Sequence, residues 1–316
     1  MPGGSQTTIG ILCGAGAGAL WGLVFLAPEL VGDFSPLHLS FGRYLFYGLL
    51  SAALLAPRRH TVLPGLTRRE WIGVGSLALV GNIAYYTLLS TAVQLGGIAT
   101  TSLVIGFLPV AVTIIGSRDA GAVPLRKLGL SLVFCGAGAL CISWQALAAP
   151  ASGSTDRQIA GLLCALGALA TWTWFAVANS RWLARLQRIT AHDWNLLTGV
   201  VTGALTLGLL PFAALIEASS HTAADWLRLA GVAAGLAFFA SIAGNALWNR
   251  MSRLLPLTLV GQMILFETLF ALLYGFAWEK RLPTVLEISA FALVSLSVVS
   301  CVAAHRQPGD AAREHG

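Results

Sequence analysis

The feature that most constrains this chain is a series of ten apolar stretches of about 20 residues, joined by short links. A helix needs roughly 20 mostly apolar residues to cross a bilayer. Only 10% of the 316 residues are charged, whereas a soluble domain carries about 25%. We therefore predict an all-α integral membrane protein. Its predicted spans are 9–27, 35–56, 71–93, 97–116, 128–145, 159–180, 194–216, 226–248, 256–276 and 284–304.

Lysine and arginine are divided unequally between the two sets of loops. One set, together with residues 306–316, holds fourteen, and the opposite set holds four. Because cytoplasmic loops carry the excess of basic residues, we expect both termini in the cytoplasm. The net charge of +6 is then a topology signal, so no nucleic-acid partner is expected. The four residues of the poorer set are Arg157, Arg228, Lys280 and Arg281.

Four short matches recur about half a chain apart, which indicates an internal duplication. They pair Trp21 with Trp172, His38 with His192, Asn82 with Asn245, and the run 107–109 with the run 266–268. We expect a first repeat at 1–150, a second at 151–305 and a disordered cytoplasmic tail at 306–316. Five spans are an odd number, so the second repeat is inverted. Inverted repeats place a substrate site near the bilayer midplane and permit alternating access.

Four runs of residues resemble the EamA-type branch of the drug/metabolite transporter superfamily, and within it the YddG-type exporters of aromatic amino acids. The runs are ALWGLVF, PLHLSFGRY, GFLPV and FETLFALLYGFAWEK, in spans one, two, four and nine. The resemblance covers residues 9–304. It implies ten transmembrane helices in a 5+5 inverted repeat around a central cavity, and export across a bacterial inner membrane. No metal or cofactor is expected, and a monomer suffices, with the oligomeric state left open.

Aromatic and amide side chains deep inside the spans are the candidate substrate-binding residues. Asn82, Tyr85 and Tyr86 share one helical face. An aromatic belt at the interface does not explain residues at this depth, and an unpaired amide in hydrocarbon costs several kcal/mol. These residues therefore line a wet cavity or form hydrogen bonds between helices. The candidates are Trp21, Asn82, Tyr85, Tyr86, Trp172, Phe175, Asn245, Trp248, Asn249 and Gln262.

Two charged residues and one proline lie well inside spans. Arg43 lies about 12 Å below the outer end of its span, and Glu267 lies about 16 Å above the inner end of its span. In a core about 30 Å thick, the two depths nearly coincide. Each alone costs on the order of 3 kcal/mol or more. We expect a structural ion pair or a substrate or proton role. Pro109 is expected to kink span four, either as a shape feature or as a hinge for gating.

Glycines recur at every fourth position of the first span, at residues 10, 14, 18 and 22. Such a stripe lets helix backbones approach closely in lipid. It serves static packing or a rocking surface. The pairs Gly199 with Gly203 and Gly231 with Gly235 repeat the pattern in the second half.

An intramembrane enzyme is disfavoured because the chain has no H-E-x-x-H, no G-x-S-x-G and no paired intramembrane aspartates. The duplication disfavours a channel or a receptor. We expect a transporter that exports small metabolites, chiefly aromatic and other large neutral amino acids, by alternating access. The alternative cargo is a hydrophobic drug or another metabolite. The first span has no acid before Glu29, which argues against polycationic drugs.

Overall fold

The computed structural model describes residues 4–31, 33–34, 36–119, 122–147, 155–186, 188–216, 221–280 and 282–305. In these ranges the regular structure is entirely helical. Ten helices of nine residues or more follow one another in these ranges: α1 Gly4–Gly22, α2 Pro36–Leu55, α3 residues 68–105, α4 Leu108–Gly116, α5 Leu125–Leu147, α6 Thr155–Arg185, α7 Ala191–Ile216, α8 residues 223–254, α9 residues 257–279 and α10 Val285–His305. Short helical turns lie between α1 and α2 and between α2 and α3.

By length and composition, six helical segments of the described residues are able to cross a membrane. They are Leu37–Gly65, Arg68–Leu89, Asp156–Arg185, Ala223–Leu254, Leu257–Trp278 and Val285–His305. Helices α1, α5 and α7 lie at three of the other predicted spans, and the predicted span 97–116 is divided between the end of α3 and α4. The chain is therefore an all-helical, multi-pass membrane protein. The predicted disordered tail at 306–316 lies outside the described residues.

Helices α3 and α8 share two local features. Each begins with a capping box, formed by Thr67 with Glu70 in α3 and by Thr222 with Asp225 in α8. Each then contains an eight-residue π-helical segment, Leu77–Ala84 in α3 and Ala237–Gly244 in α8. A π-helical segment disturbs the i→i−4 ladder and is frequent at functional sites.

The predicted break between the third and fourth spans is wrong in position. The backbone stays helical over Tyr85–Ile105 and is interrupted at residues 106–107 instead. Pro109 consequently lies in the first turn of α4, not in the middle of a helix. There its missing N–H removes a donor that has no intrahelical partner anyway. Helix α9 is likewise interrupted, at Ile264, between Leu257–Met263 and Leu265–Glu279.

The glycine stripe of α1 lies against α8 and α9. A Cβ at Gly10 would meet the Leu255 side chain, and one at Gly18 would meet the backbone of Glu267 at 2.8 Å. Gly199 and Gly203 also lie in a contact, whereas Gly231 and Gly235 have nothing within 4 Å. Close helix packing thus accounts for the glycines of α1 and α7 but not for Gly231 and Gly235 of α8.

Helices of the two halves pack against one another in antiparallel pairs. On α2 and α7, Gly48 meets Gly203, where a Cβ on either would lie 2.7 Å from the Cα of the other. On α5 and α10, Ser131 and Ser297 exchange hydrogen bonds of 2.9 Å and 2.7 Å with each other's carbonyls. Three further pairs are α1 with α8, α3 with α6, and α4 with α9. In each, residue numbers rise on one helix as they fall on the other.

Candidate functional site

Three tryptophans from different helices meet in the interior of the bundle. Trp21 of α1, Trp172 of α6 and Trp248 of α8 have ring centroids 5.0 to 6.3 Å apart. Separations of this size are typical of interacting aromatic pairs. The three side chains are 8%, 9% and 2% exposed, respectively. We call them the tryptophan triad, and sequence analysis had selected all three as candidates.

Two of the indole N–H donors of the triad, those of Trp21 and Trp248, differ in their hydrogen bonding. Nε1 of Trp21 donates to the carbonyl of Ala240 at 3.1 Å. Ala240 belongs to the π-helical segment of α8. Nε1 of Trp248, in contrast, is buried and has no hydrogen-bond partner among the described residues. Because a buried N–H without a partner costs about 1–3 kcal/mol, this donor is available to a bound acceptor.

Two further candidates extend the aromatic surface around Trp172. The rings of Tyr85 and Phe175 lie 6.3 Å and 6.1 Å from the Trp172 ring. Phe175 also lies against Gly81 of the π-helical segment of α3, where a side chain would collide with the ring. Five of the ten predicted binding residues therefore form one contiguous aromatic group.

Arg43 is anchored beside the triad by α8. Its Nε donates to Ser241 Oγ at 3.0 Å, and its guanidinium carbon lies 5.6 Å from the centroid of the Tyr44 ring. Ser241 follows Ala240, the acceptor for Trp21. The terminal nitrogens of Arg43 have no hydrogen bond to any described residue. The guanidinium is thus held at one edge while its other edge stays free to bind an anion.

Glu267 lies in the same region but is not paired with Arg43. No N···O distance of 4.0 Å or less joins the two side chains, and no described residue donates to the Glu267 carboxylate. Both nevertheless act electrostatically on Tyr85, together with Tyr44 and Tyr86. The structural ion pair that the sequence analysis offered as one explanation is therefore absent. A substrate or proton role stays a prediction.

Amide and phenol groups on α2, α3, α7 and α8 complete this polar region. Asn82 Nδ2 donates to Thr202 Oγ1 at 2.8 Å, and the Tyr86 ring meets the Tyr44 ring edge-on at 6.1 Å. Asn245 lies beside the hydroxyl of Tyr47. These contacts place Asn82, Tyr86 and Asn245 between helices, and Tyr86 meets Tyr44, the ring beside Arg43.

Tyr47 and Asn195 connect this region to the π-helical segment of α8. The Tyr47 hydroxyl donates to the Asn195 side chain at 2.8 Å. The Asn195 amide in turn donates to the carbonyls of Ser241 and Ile242 at 3.4 Å and 3.2 Å. Sequence reasoning missed both residues. A tyrosine four residues after Arg43 was the one available signal, since positions i and i+4 share a helical face.

Two predicted binding residues belong to other networks. Asn249 accepts a hydrogen bond from Asn179 Nδ2 at 2.8 Å, and Asn179 accepts one from Trp194 Nε1 at 3.1 Å. Gln262, which is fully buried, donates to Thr113 at 3.1 Å, and its Oε1 lies 2.9 Å from the Ser297 hydroxyl, whose one proton is shared with the Ser131 carbonyl. Their amide groups are thus engaged by other helices.

The triad is closed in this conformation. Its ring centroids lie 5.0 to 6.3 Å apart, so the three indole side chains pack against one another. Two cavities of about 820 Å³ and about 530 Å³ lie elsewhere, at α3, α4 and α6, and none of the predicted binding residues lines them.

Comparison with known proteins agrees with this architecture. A model of the EamA-like transporter family matches residues 8–144. Inner membrane protein YtfF of Escherichia coli (strain K12) is 30% identical in an alignment over 311 residues that covers 93% of this chain and 95% of that protein. A solved crystal structure of a protein matches with a TM-score of 0.74 at 20% identity, over 93% of this chain and 96% of that chain. That last likeness concerns the fold alone. The family match confirms the EamA-type resemblance and indicates a transporter, not an enzyme.

Proposed function

Because the chain belongs to the EamA-like transporter family, we propose that it exports aromatic and other large neutral amino acids, as the YddG-type exporters do. The observation that carries this proposal is the tryptophan triad lying beside an arginine and a carboxylate that do not pair with one another. An amino-acid zwitterion has an aromatic or aliphatic side chain and two opposite charges. The site offers a partner for each of these parts.

Each part of the substrate is assigned a partner by its chemistry. The substrate ring inserts among Trp21, Trp172 and Trp248, where aromatic pairs contribute about 0.5–1.5 kcal/mol beyond area burial. The carboxylate binds the free edge of Arg43, which presents two parallel N–H donors. The ammonium group binds Glu267. The orphaned Trp248 Nε1 supplies one more donor for the carboxylate.

The proposed architecture is ten spans in a 5+5 inverted repeat. Supporting it are the paired capping boxes and π-helical segments of α3 and α8 and the interruptions near residues 106 and 264. In a 5+5 repeat, α1 corresponds to α6 and α3 corresponds to α8. The contact of α1 with α8 therefore has its counterpart in the contact of α6 with α3. Interrupted helices at corresponding positions of two halves are the best pointer to a transport site.

Transport proceeds by alternating access around the triad. Three of the helices that meet there, α1, α3 and α8, include a glycine stripe or a π-helical segment. The closed triad is the occluded state between two open ones. The relative in Escherichia coli is an inner membrane protein, and we place this chain in a bacterial inner membrane with both termini in the cytoplasm.

The unpaired carboxylate favours one alternative cargo, a hydrophobic organic cation. Such a molecule would stack its ring on the triad and place its charge beside Glu267. Arg43 distinguishes the two candidates, because a guanidinium group repels a cation but binds a carboxylate.

Counterflow in liposomes tests the proposal. Purified protein is offered phenylalanine, tryptophan, a hydrophobic organic cation and a sugar. We expect saturable exchange of the two amino acids, with large aliphatic amino acids carried more weakly. Transport of the cation but of neither amino acid would falsify the assignment and support the alternative.

Two variants test the site itself. Trp172→Ala and Tyr86→Ala should each reduce phenylalanine exchange, whereas Trp144→Ala, whose side chain is 61% exposed, should leave it unchanged. Unchanged exchange in both site variants would mean that the substrate is bound elsewhere, even with the substrate class right.

A further inference from the structure

The larger cavity is an elongated groove on the outside of the helix bundle, with a volume of about 820 Å³. Helix α6 forms its floor through residues spaced three and four apart, which is one face of a helix. Leu166, Leu169 and Trp174 line it from α6, and Ala111 and Ile115 line it from α4. Leu166 and Trp174 are 46% and 42% exposed. The groove is therefore apolar along most of its length and open to the side.

Arginines gather at one end of this groove. Arg69 of α3 and Arg181 and Arg185 of α6 all line it there. Arg181 is neutralised by Asp119, at 2.7 Å. Arg69 and Arg185 have no carboxylate within 4.0 Å among the described residues. One end of the groove thus carries two uncompensated positive charges.

The predicted sixth span, 159–180, ends just before Arg181 and Arg185, so these arginines are expected at the level of lipid headgroups. The Arg69 guanidinium lies 6.0 Å from the centroid of the Trp182 ring, and tryptophan and arginine side chains are typical anchors at a membrane interface. Eleven helical positions separate Trp174 from Arg185, which is about 16 Å along the axis.

We propose that this groove binds an anionic phospholipid. Its phosphate lies between Arg69 and Arg185, and one acyl chain lies on the apolar floor of α6. A free anion would satisfy the arginines but leave the apolar floor without a partner. A zwitterionic lipid would fill the floor but gain less from two unpaired cations, since basic pockets between transmembrane helices select acidic headgroups.

The proposal does not depend on which metabolite is carried. It concerns a surface that none of the predicted substrate-binding residues lines. Helix α6 nevertheless presents both this groove and Trp172. A lipid held there packs against the helix that has to move when the triad opens, so its binding would also affect transport.

The test measures lipid binding to purified protein by native mass spectrometry and by thermal unfolding. The probes are phosphatidylglycerol, phosphatidylcholine and inorganic phosphate. We expect phosphatidylglycerol to stay bound and to raise the Tm by several degrees, with little effect of the other two. Equal effects of both lipids, or protection by inorganic phosphate alone, would overturn the proposal.

Matched variants locate the site. Removing two cations with Arg69→Gln and Arg185→Gln should weaken phosphatidylglycerol binding about 25-fold, at about fivefold per arginine near an anionic surface. The control pair Arg59→Gln and Arg250→Gln removes the same charge from exposed positions outside the groove and should change binding less than twofold. Equal losses in both pairs would reduce the effect to general electrostatics and refute the site.

A third variant covers the case in which the arginine pair is needed for folding. Ala170 is an exposed residue on the groove floor, and Ala170→Phe fills the floor while leaving every arginine in place. It should also displace phosphatidylglycerol. Retention of the lipid at wild-type affinity in this variant would contradict the proposed acyl-chain position.

Discussion

The indole nitrogen of Trp21 on α1 donates a hydrogen bond to the carbonyl of Ala240 on α8, at 3.1 Å. Ala240 lies inside the π-helical segment Ala237–Gly244. The next two carbonyls of that segment, those of Ser241 and Ile242, accept from Asn195 of α7. Carbonyls displaced from the regular helical ladder are thus bonded by side chains of two other helices. The segment is therefore bonded by side chains of α1 and α7, next to Trp21 of the tryptophan triad.

The first prediction compares the donors of two tryptophans. Trp21→Phe keeps an aromatic ring but leaves the buried Ala240 carbonyl without its partner. It should lower the free energy of unfolding by about 1–3 kcal/mol. Trp248→Phe removes a donor that has no partner in the protein. It should cost less stability than Trp21→Phe while raising the KM for phenylalanine.

The measurement is unfolding in mixed micelles together with liposome counterflow. Trp144→Phe, at a side chain that is 61% exposed, is the control for the loss of an indole. The reverse order, with Trp248→Phe the less stable variant and Trp21→Phe the one with the altered KM, would show that the two indoles have exchanged roles.

The second prediction concerns the crossing of α2 and α7. A Cβ on Gly203 would lie 2.7 Å from the Cα of Gly48, so the backbones have to move apart. Gly203→Ala should therefore lower the free energy of unfolding by about 1–3 kcal/mol, as overpacking does. Gly208→Ala is the control on the same helix, because nothing lies within 4 Å of that position. Equal stability of the two variants would contradict the crossing.

The third prediction separates a structural amide from a binding one. Asn249→Ala removes the acceptor of Asn179 and leaves a buried amide incompletely bonded, which costs about 1–3 kcal/mol. The folded fraction should still exchange phenylalanine with an unchanged KM. The double variant with Asn179→Ala should cost less than the sum of the two single variants, since they share one network. A higher KM at unchanged stability would restore Asn249 to the binding site.

Hydropathy predicted most of the fold because lipid forces each span to satisfy its own backbone and to be apolar. Depth within a span was equally informative for Trp21 and Trp172, whose rings meet at 6.3 Å. The π-helical segments could not be predicted, because a shift in backbone hydrogen bonding has no signature in residue type. Asn195 was missed because its acceptors are carbonyls of such a segment.

The role of an amide depends on what lies opposite it, and a single sequence does not contain that pairing. Gln262 has the composition of a binding residue, but its partners are Thr113 on α4 and Ser297 on α10. Nothing in the local sequence of α9 predicts them. The break before α4 was misplaced for a similar reason, since the helix continues through Gly96 and Gly97 and ends only near Pro109.

The fourth prediction concerns topology. His60 and Asp156 are exposed positions in the links before α3 and at the start of α6, which the loop charges assign to opposite sides of the membrane. In intact cells, Asp156→Cys should react with a membrane-impermeant maleimide, and His60→Cys should react only after permeabilisation. The wild-type chain gives the background, since three of its five cysteines are buried. Equal labelling of both variants in intact cells would contradict the assignment.

The last prediction concerns Arg43 and Glu267, which share one polar region without forming an ion pair. If each binds one charge of a zwitterion, the two variants should respond to different parts of the substrate. The ligands are phenylalanine, phenethylamine, which lacks the carboxylate, and hydrocinnamate, which lacks the ammonium group. Arg43→Gln should weaken binding of phenylalanine and hydrocinnamate but not of phenethylamine. Glu267→Gln should weaken phenylalanine and phenethylamine but not hydrocinnamate.

The expected loss is about 10- to 100-fold for each charge-assisted contact, because hydrogen bonds to charged groups contribute about 1.5–3 kcal/mol. Competition with phenylalanine counterflow gives the apparent affinity of all three ligands. Unfolding of the two single variants and of the double variant provides the control. Because no direct contact joins the two side chains, the coupling between their effects on the free energy of unfolding should stay well below the about 3–5 kcal/mol cost of breaking a buried ion pair. Strong coupling in stability, or equal losses for all three ligands, would instead mean that the two charges serve the fold and that the zwitterion binds elsewhere.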